Sequence, residues 1–126
     1  MDDKKLCELA VKAREGAYVP YSGFSVGAAL LCADGTVYTG CNIENASFTP
    51  TVCAERVAFF RAVNDGHRDF IKIAVAGEGV CPPCGVCRQV MSEFCDGDFE
   101  ILLAHDGTYE RHTLGELLPL AFEVTK

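Results

Sequence analysis

The chemistry in this sequence gathers around its cysteines. Pro83-Cys84-Gly85-Val86-Cys87 sets two thiols at C-x-x-C spacing behind a proline, where a helix is expected to open. Two thiolates so spaced can hold one metal ion, and a helix N-terminus lowers their pKa. The same spacing occurs in redox pairs, which follow an early strand, and in zinc ribbons, which need a second, separate pair. Here the motif follows the third expected strand, and no separate pair exists. Cys53 is the natural third ligand, because it too is expected at a helix start, on a crossover element beside the helix of Cys84 and Cys87. Three ligands leave a fourth position open, which marks a catalytic zinc. Cys81 offers the alternative of a closed four-cysteine structural site, although Pro82-Pro83 shapes such a chelate poorly. Glu55 stands two residues after Cys53, where a carboxylate can face the open position without being a ligand. A group that moves protons for an activated water belongs there, whereas an ordinary first-turn glutamate only complements the helix dipole.

Elements must position these residues. Leu6, Leu9, Ala10, Ala13 and Ala17 recur at helical spacing behind Asp2 or Asp3 as N-cap, and Pro20 limits this first helix. Residues 24–32 read as a strand, Asp34-Gly35 as a hairpin turn, and 37–43 as the returning strand. Residues 44–51 carry no periodicity. A second helix opens near Cys53 with Ala54, Val57, Ala58 and Arg61 on one side, and Asn64-Asp65-Gly66 ends it. Ile71, Ile73 and Val75 alternate as a third strand. The third helix carries Val86, Val90, Met91 and Phe94 as its buried stripe. Residues 99–104 and 108–112 are strands joined at Asp106-Gly107, and Thr113 to Glu116 has capping-box spacing for a short last helix. This order predicts an α/β fold of three layers, α/β/α, around a five-stranded mixed sheet. Helical crossovers in the middle imply parallel strands, while strands 4 and 5, too closely joined for a crossover, are antiparallel.

Length and composition set the bounds. The 126 residues suit a single domain over 1–126, and 49% hydrophobic against 23% charged residues exclude disorder and coiled coil. No apolar run reaches the ~20 residues that cross a bilayer. The N-terminus shows no apolar signal region, so a reducing cytoplasmic setting is expected, with the eight cysteines as thiols rather than disulfides. The net charge of -7 with dispersed bases opposes nucleic-acid binding and suits a small ligand without negative charge.

The motifs taken together resemble the zinc-dependent cytidine deaminases, in the small homotetrameric form. The matching stretches are Cys53-Ala54-Glu55, Pro83-Cys84-x-x-Cys87-Arg88-Gln89, Tyr21-Ser22-x-Phe24-x-Val26-Gly27-Ala28-Ala29, residues 40–47, and Glu116-Leu117-Leu118-Pro119. They span nearly the whole chain in order. Val57, Val86, the Cys81-Pro82 lead-in and Phe48 depart from the usual pattern, and none of them is a proposed ligand.

The resemblance implies one Zn²⁺ per chain on Cys53, Cys84 and Cys87, with Glu55 as the general acid and base. It implies that Asn42 and Glu44 bind the sugar 3'-hydroxyl, that Phe24 walls the nucleoside, and that Ala46 lies in the substrate site. The Ala54 N–H would hold the pyrimidine O2. Phe48 and Phe122 would reach a neighbouring subunit's site, against the alternative that Phe24, Phe48 and Phe122 simply pack in the core. Arg56 and Arg88 would offset the thiolate charge by donating to sulfur. The implied activity is hydrolytic deamination of free cytidine and 2'-deoxycytidine, a pyrimidine-salvage reaction. Nucleic-acid editing, blasticidin deamination and a non-catalytic zinc protein are the competing readings.

Overall fold

The structure, a computed structural model, describes residues 1–124. The chain runs α1 (Asp3–Ala13), a 3-10 turn (Arg14–Gly16), β1 (Gly27–Cys32), β2 (Val37–Cys41), α2 (Ala54–Asn64), β3 (Phe70–Ala76), α3 (Gly85–Phe94), β4 (Glu100–His105), β5 (Thr108–Thr113) and α4 (Leu114–Leu117). The five strands form one sheet in the order β2-β1-β3-β4-β5. β3 and β4 are parallel, and the other three neighbouring pairs are antiparallel. The mixed sheet and the antiparallel last pair agree with the expectation. α2 also links strands of like direction, but β1 lies between them, so among the described residues only α3 joins hydrogen-bonded parallel neighbours.

Residues alternate across the sheet, and both faces are covered. Ala28, Leu30 and Cys32 of β1, with Ile73, Val75, Ile101 and Leu103, face α2 and α3. Ala29, Leu31, Ala74, Ala76, Leu102 and Ala104 face Leu6, Cys7 and Ala10 of α1. Burial on both faces explains why β1 and the middle of β4 are continuous apolar runs rather than alternations. Asp2 caps α1 by accepting from Lys5 N at 2.7 Å. Asp106 and Gly107 both have positive φ (48° and 76°), the type I′ geometry that suits a two-residue hairpin. Thr113 and Glu116 form the reciprocal capping box of α4.

Two helix faces differ from the expectation. In α2 the core contacts come from Ala54, Ala58, Phe59 and Ala62, while Arg61 is exposed. Phe59 is fully buried among Phe70, Phe94 and Phe99. Burying that ring gains about 1.5–3 kcal/mol, whereas Arg61 must keep its charge hydrated, so the helix turns toward Phe59. In α3 Val86 is exposed and Cys87 is buried in its place. The first two strands are shorter than expected. Residues 24–26 and Ile43 leave the ladder because Asn42 and the bridges of Ile43 to Tyr18 and Val52 take over their backbone groups. Among the described residues no helix is long and apolar enough to cross a membrane.

Candidate active site

The ends of α2 and α3 meet at one point. Cys53 is the N-cap of α2 and Cys84 the N-cap of α3. Gly40 fixes the placement of α2: a Cβ there would lie 2.4 Å from the Ala54 carbonyl oxygen and 2.7 Å from the Ala58 nitrogen. The first turn of α2 therefore rests directly on the β2 backbone.

This packing brings the Sγ atoms of Cys53, Cys84 and Cys87 within 4.8 Å of one another, with Cys53 and Cys84 3.7 Å apart. Cys84 Sγ accepts from the Cys87 N–H at 3.5 Å, and Cys53 Sγ accepts from Arg56 Nη2 at 3.5 Å. The hydrogen bond with Cys87, joined by Arg56 and Cys84, holds Cys53 down at about 5. The same bond to Cys53, together with burial, pushes Cys87 up. Three sulfurs at two helix starts, one already poised as thiolate, fit a zinc ion with one position left open. Cys81 does not join this cluster. It packs beside Gly77 and Phe24, and burial raises its pKa.

Glu55 is 3% exposed, and burial pushes its carboxyl up to about 7. A carboxyl near neutrality can both take and give a proton. Ala54 opens α2, so its N–H has no acceptor within the helix.

The remaining expected residues divide. Arg56 reaches sulfur as expected. Arg88 does not: its Nε donates to Pro83 O at 2.7 Å and its Nη1 to Leu117 O at 2.6 Å. It therefore ties the loop before α3 to the end of α4. Gln89 likewise donates to Phe122 O at 2.8 Å. Phe24 is 40% exposed near the metal cluster's loop, Phe48 is 78% exposed with φ 63°, and Phe122 is 74% exposed. Core packing is thus excluded for Phe48 and Phe122. Asn42 and Glu44 hold residues 21–26 in place, and Ala46 lies exposed in the loop before Cys53.

A second cluster was not expected from sequence. Cys32, Asp34 and His67 also bring their donor atoms within 4.8 Å, at the far end of α2, with His67 Nδ1 3.7 Å from Asp34 Oδ2. No spacing motif signals it, because β1, the hairpin turn and the end of α2 supply one residue each.

A three-sulfur centre beside a buried carboxylate places the molecule among the zinc-dependent deaminases. Comparison with known proteins narrows that class. Residues 1–103 match the family described as the cytidine and deoxycytidylate deaminase zinc-binding region, and the chain belongs to this family. It is 55% identical to cytidine deaminase of Sporosarcina psychrophila over 97% of this chain and 92% of that protein. It is 53% identical to cytidine deaminase of Halalkalibacterium halodurans over 97% of this chain and 95% of that protein. The crystal structure of cytidine deaminase from Burkholderia pseudomallei superposes with a TM-score of 0.93 at 49% identity, covering 97% of this chain and all of that one.

Proposed function

We propose that the whole chain, 1–126, is one deaminase domain that hydrolyses free cytidine and 2'-deoxycytidine to uridine and 2'-deoxyuridine with release of ammonia, as a cytoplasmic salvage enzyme. The observation that carries this reading is the buried Glu55 carboxyl beside the Cys53, Cys84 and Cys87 sulfurs. Those three cysteines hold the zinc, and Arg56 tempers their charge. The ion, when bound, supplies a Lewis acid that makes water nucleophilic at neutral pH. Glu55 takes the proton from the water that attacks C4, passes it to N3, and delivers a proton to the departing amino group. The Ala54 N–H holds O2, which orients the ring. Asn42 and Glu44 meet the 3'-hydroxyl, Phe24 walls the pyrimidine, and Ala46 lines the site.

Assembly completes the reading. Phe48, Leu120 and Phe122 are exposed in a single chain, and two of them lie on the tail tied to α3. In a homotetramer with closed symmetry these side chains cover neighbouring sites and exclude water from them. The -7 charge and the two-residue β4–β5 turn, with no helical crossover, support a free nucleoside over a nucleic acid. Loss of cytidine absorbance, with and without chelator, tests the reaction. Turnover of cytosine in single-stranded DNA comparable to that of the nucleoside would contradict it.

A further inference from the structure

The proposed sugar pair is itself held by other residues, and counting its hydrogen bonds shows how. Glu44 Oε1 accepts from Tyr21 N at 3.0 Å and from Ser22 N at 3.1 Å, and Oε2 accepts from the Ser22 hydroxyl. A carboxylate offers about four lone-pair positions, so one is left, on Oε2. Asn42 Oδ1 accepts from Val26 N at 2.9 Å and Nδ2 donates to Phe24 O at 2.8 Å, which leaves one free N–H on Nδ2. The pair therefore presents one acceptor and one donor, the complement of a hydroxyl that donates once and accepts once.

Ser22 joins the two halves of this arrangement. Its Oγ donates to Glu44 and accepts from the Phe24 N–H at 3.0 Å. The carboxylate and the backbone of the proposed aromatic wall thus share one side-chain atom. The turn that presents Ser22 is set by Gly23, whose φ of 69° returns its N–H to Val19 O at 3.0 Å.

We propose that Ser22 is a positioning residue for the sugar: its hydroxyl aims the last free lone pair of Glu44 Oε2 at the 3'-hydroxyl. Ser22 makes no contact with the nucleoside. The inference rests on the nucleoside reading above and adds the residue that gives that site its 3'-hydroxyl selectivity. Without the Ser22 hydroxyl, Glu44 keeps its two bonds on Oε1 but its Oε2 is free to turn or to take water. A 3'-phosphoester, which offers only acceptors, finds no partner on Oε2 in either case.

The test compares wild type, Ser22→Ala and Ser22→Thr on 2'-deoxycytidine and on 2',3'-dideoxycytidine, which lacks the 3'-hydroxyl. Ser22→Ala should raise KM for deoxycytidine by about tenfold, the loss of one hydrogen bond to a charged group, with kcat nearly kept. Its KM for dideoxycytidine should stay at the wild-type value, which also shows that the variant is folded and holds its metal. Ser22→Thr keeps the hydroxyl and should match wild type on both. An equal rise in KM for the two nucleosides, a fall in kcat without a change in KM, or no effect of Ser22→Ala overturns the inference. Failure of the wild type to deaminate either nucleoside removes the functional reading, and this inference with it.

Discussion

The two ends of α2 each gather three side chains able to bind metal, and they differ in almost everything else. At the start stand Cys53, Cys84 and Cys87, at the N-termini of α2 and α3 with Arg56 on one sulfur. About 16 Å away, past the last turn, stand Cys32, Asp34 and His67. A helix start carries positive partial charge and a helix end negative. At the start Cys53 is held near 5 by its neighbours. At the far end Cys32 is fully buried, and burial with the nearby Asp34 carboxylate raises its pKa. Donors within reach of one another are therefore not enough. The surroundings decide whether a thiol gives up its proton: Cys53 of the first cluster is held low, whereas Cys87 beside it and Cys32 of the second cluster are pushed up. In the second, His67 Nδ1 lies 3.7 Å from Asp34 Oδ2, a contact that ties the β1–β2 turn to the end of α2.

The strongest way to break this contrast is Glu55→Gln. Glutamine keeps the shape but moves no proton, and each proton transfer lost costs on the order of 10²–10⁴ in rate. Activity on cytidine should fall by several orders of magnitude while circular dichroism and zinc content stay unchanged. A variant with a tenth of wild-type activity refutes the role of Glu55.

Metal analysis of purified variants comes next. Wild type should carry one zinc per chain. Cys84→Ala should lose the zinc and most of the stability together, because binding energy at such a site is folding energy. His67→Ala and Cys81→Ala should keep both. Two zincs per chain, lost in His67→Ala, would erase the distinction between the two ends.

In the proposed tetramer, Phe122→Ala should reduce activity by about tenfold without loss of zinc, because it would open a neighbour's site to water. Light scattering should give a mass of four chains, and dilution to monomer should abolish turnover. A fully active monomer contradicts the shared site.

The smallest effect belongs to the far end. Hydrogen bonds from Thr36, and more weakly the charge of His67, hold the Asp34 carboxyl below its ordinary 3.8. A lowered pKa means that its stabilising contribution is complete above 3.8 and is lost as the pH falls through the folded value. The advantage of wild type over Asp34→Asn in Tm should therefore be present near neutrality and close on acidification. A gap that widens in acid reverses the sign.

How much of this was legible beforehand varies by residue. The gathering of Cys53, Cys84 and Cys87 near Glu55 could be read because helix starts announce themselves through proline and spacing. The sheet class followed from the order of elements, and the 105–108 hairpin from Asp106-Gly107. The position of β1 between β2 and β3 could not be read, because element order does not fix which strand a crossover skips. The stripe on α2 misled because Phe59 and Arg61 both sit beside small residues, and only the neighbouring Phe70, Phe94 and Phe99 decide which turns inward. Its place next to Cys87 in sequence suggests sulfur for Arg88, but its guanidinium reaches two carbonyls that no local pattern reveals.

Gly40 has a further meaning as a manufacturing tolerance. The β2 backbone is the datum from which the site is measured, and the missing side chain at Gly40 makes the gap between datum and helix nearly zero. Any added atom there is inserted between reference and instrument, and the start of α2, where Cys53 and Glu55 sit, must move to make room. Since a displacement of 1 Å at reacting groups can cost about 10²-fold in rate, a single methyl at Gly40 would detune the chemistry without touching a ligand, a proton or a substrate. The accuracy of this catalyst is set by a residue that contributes no side chain to it.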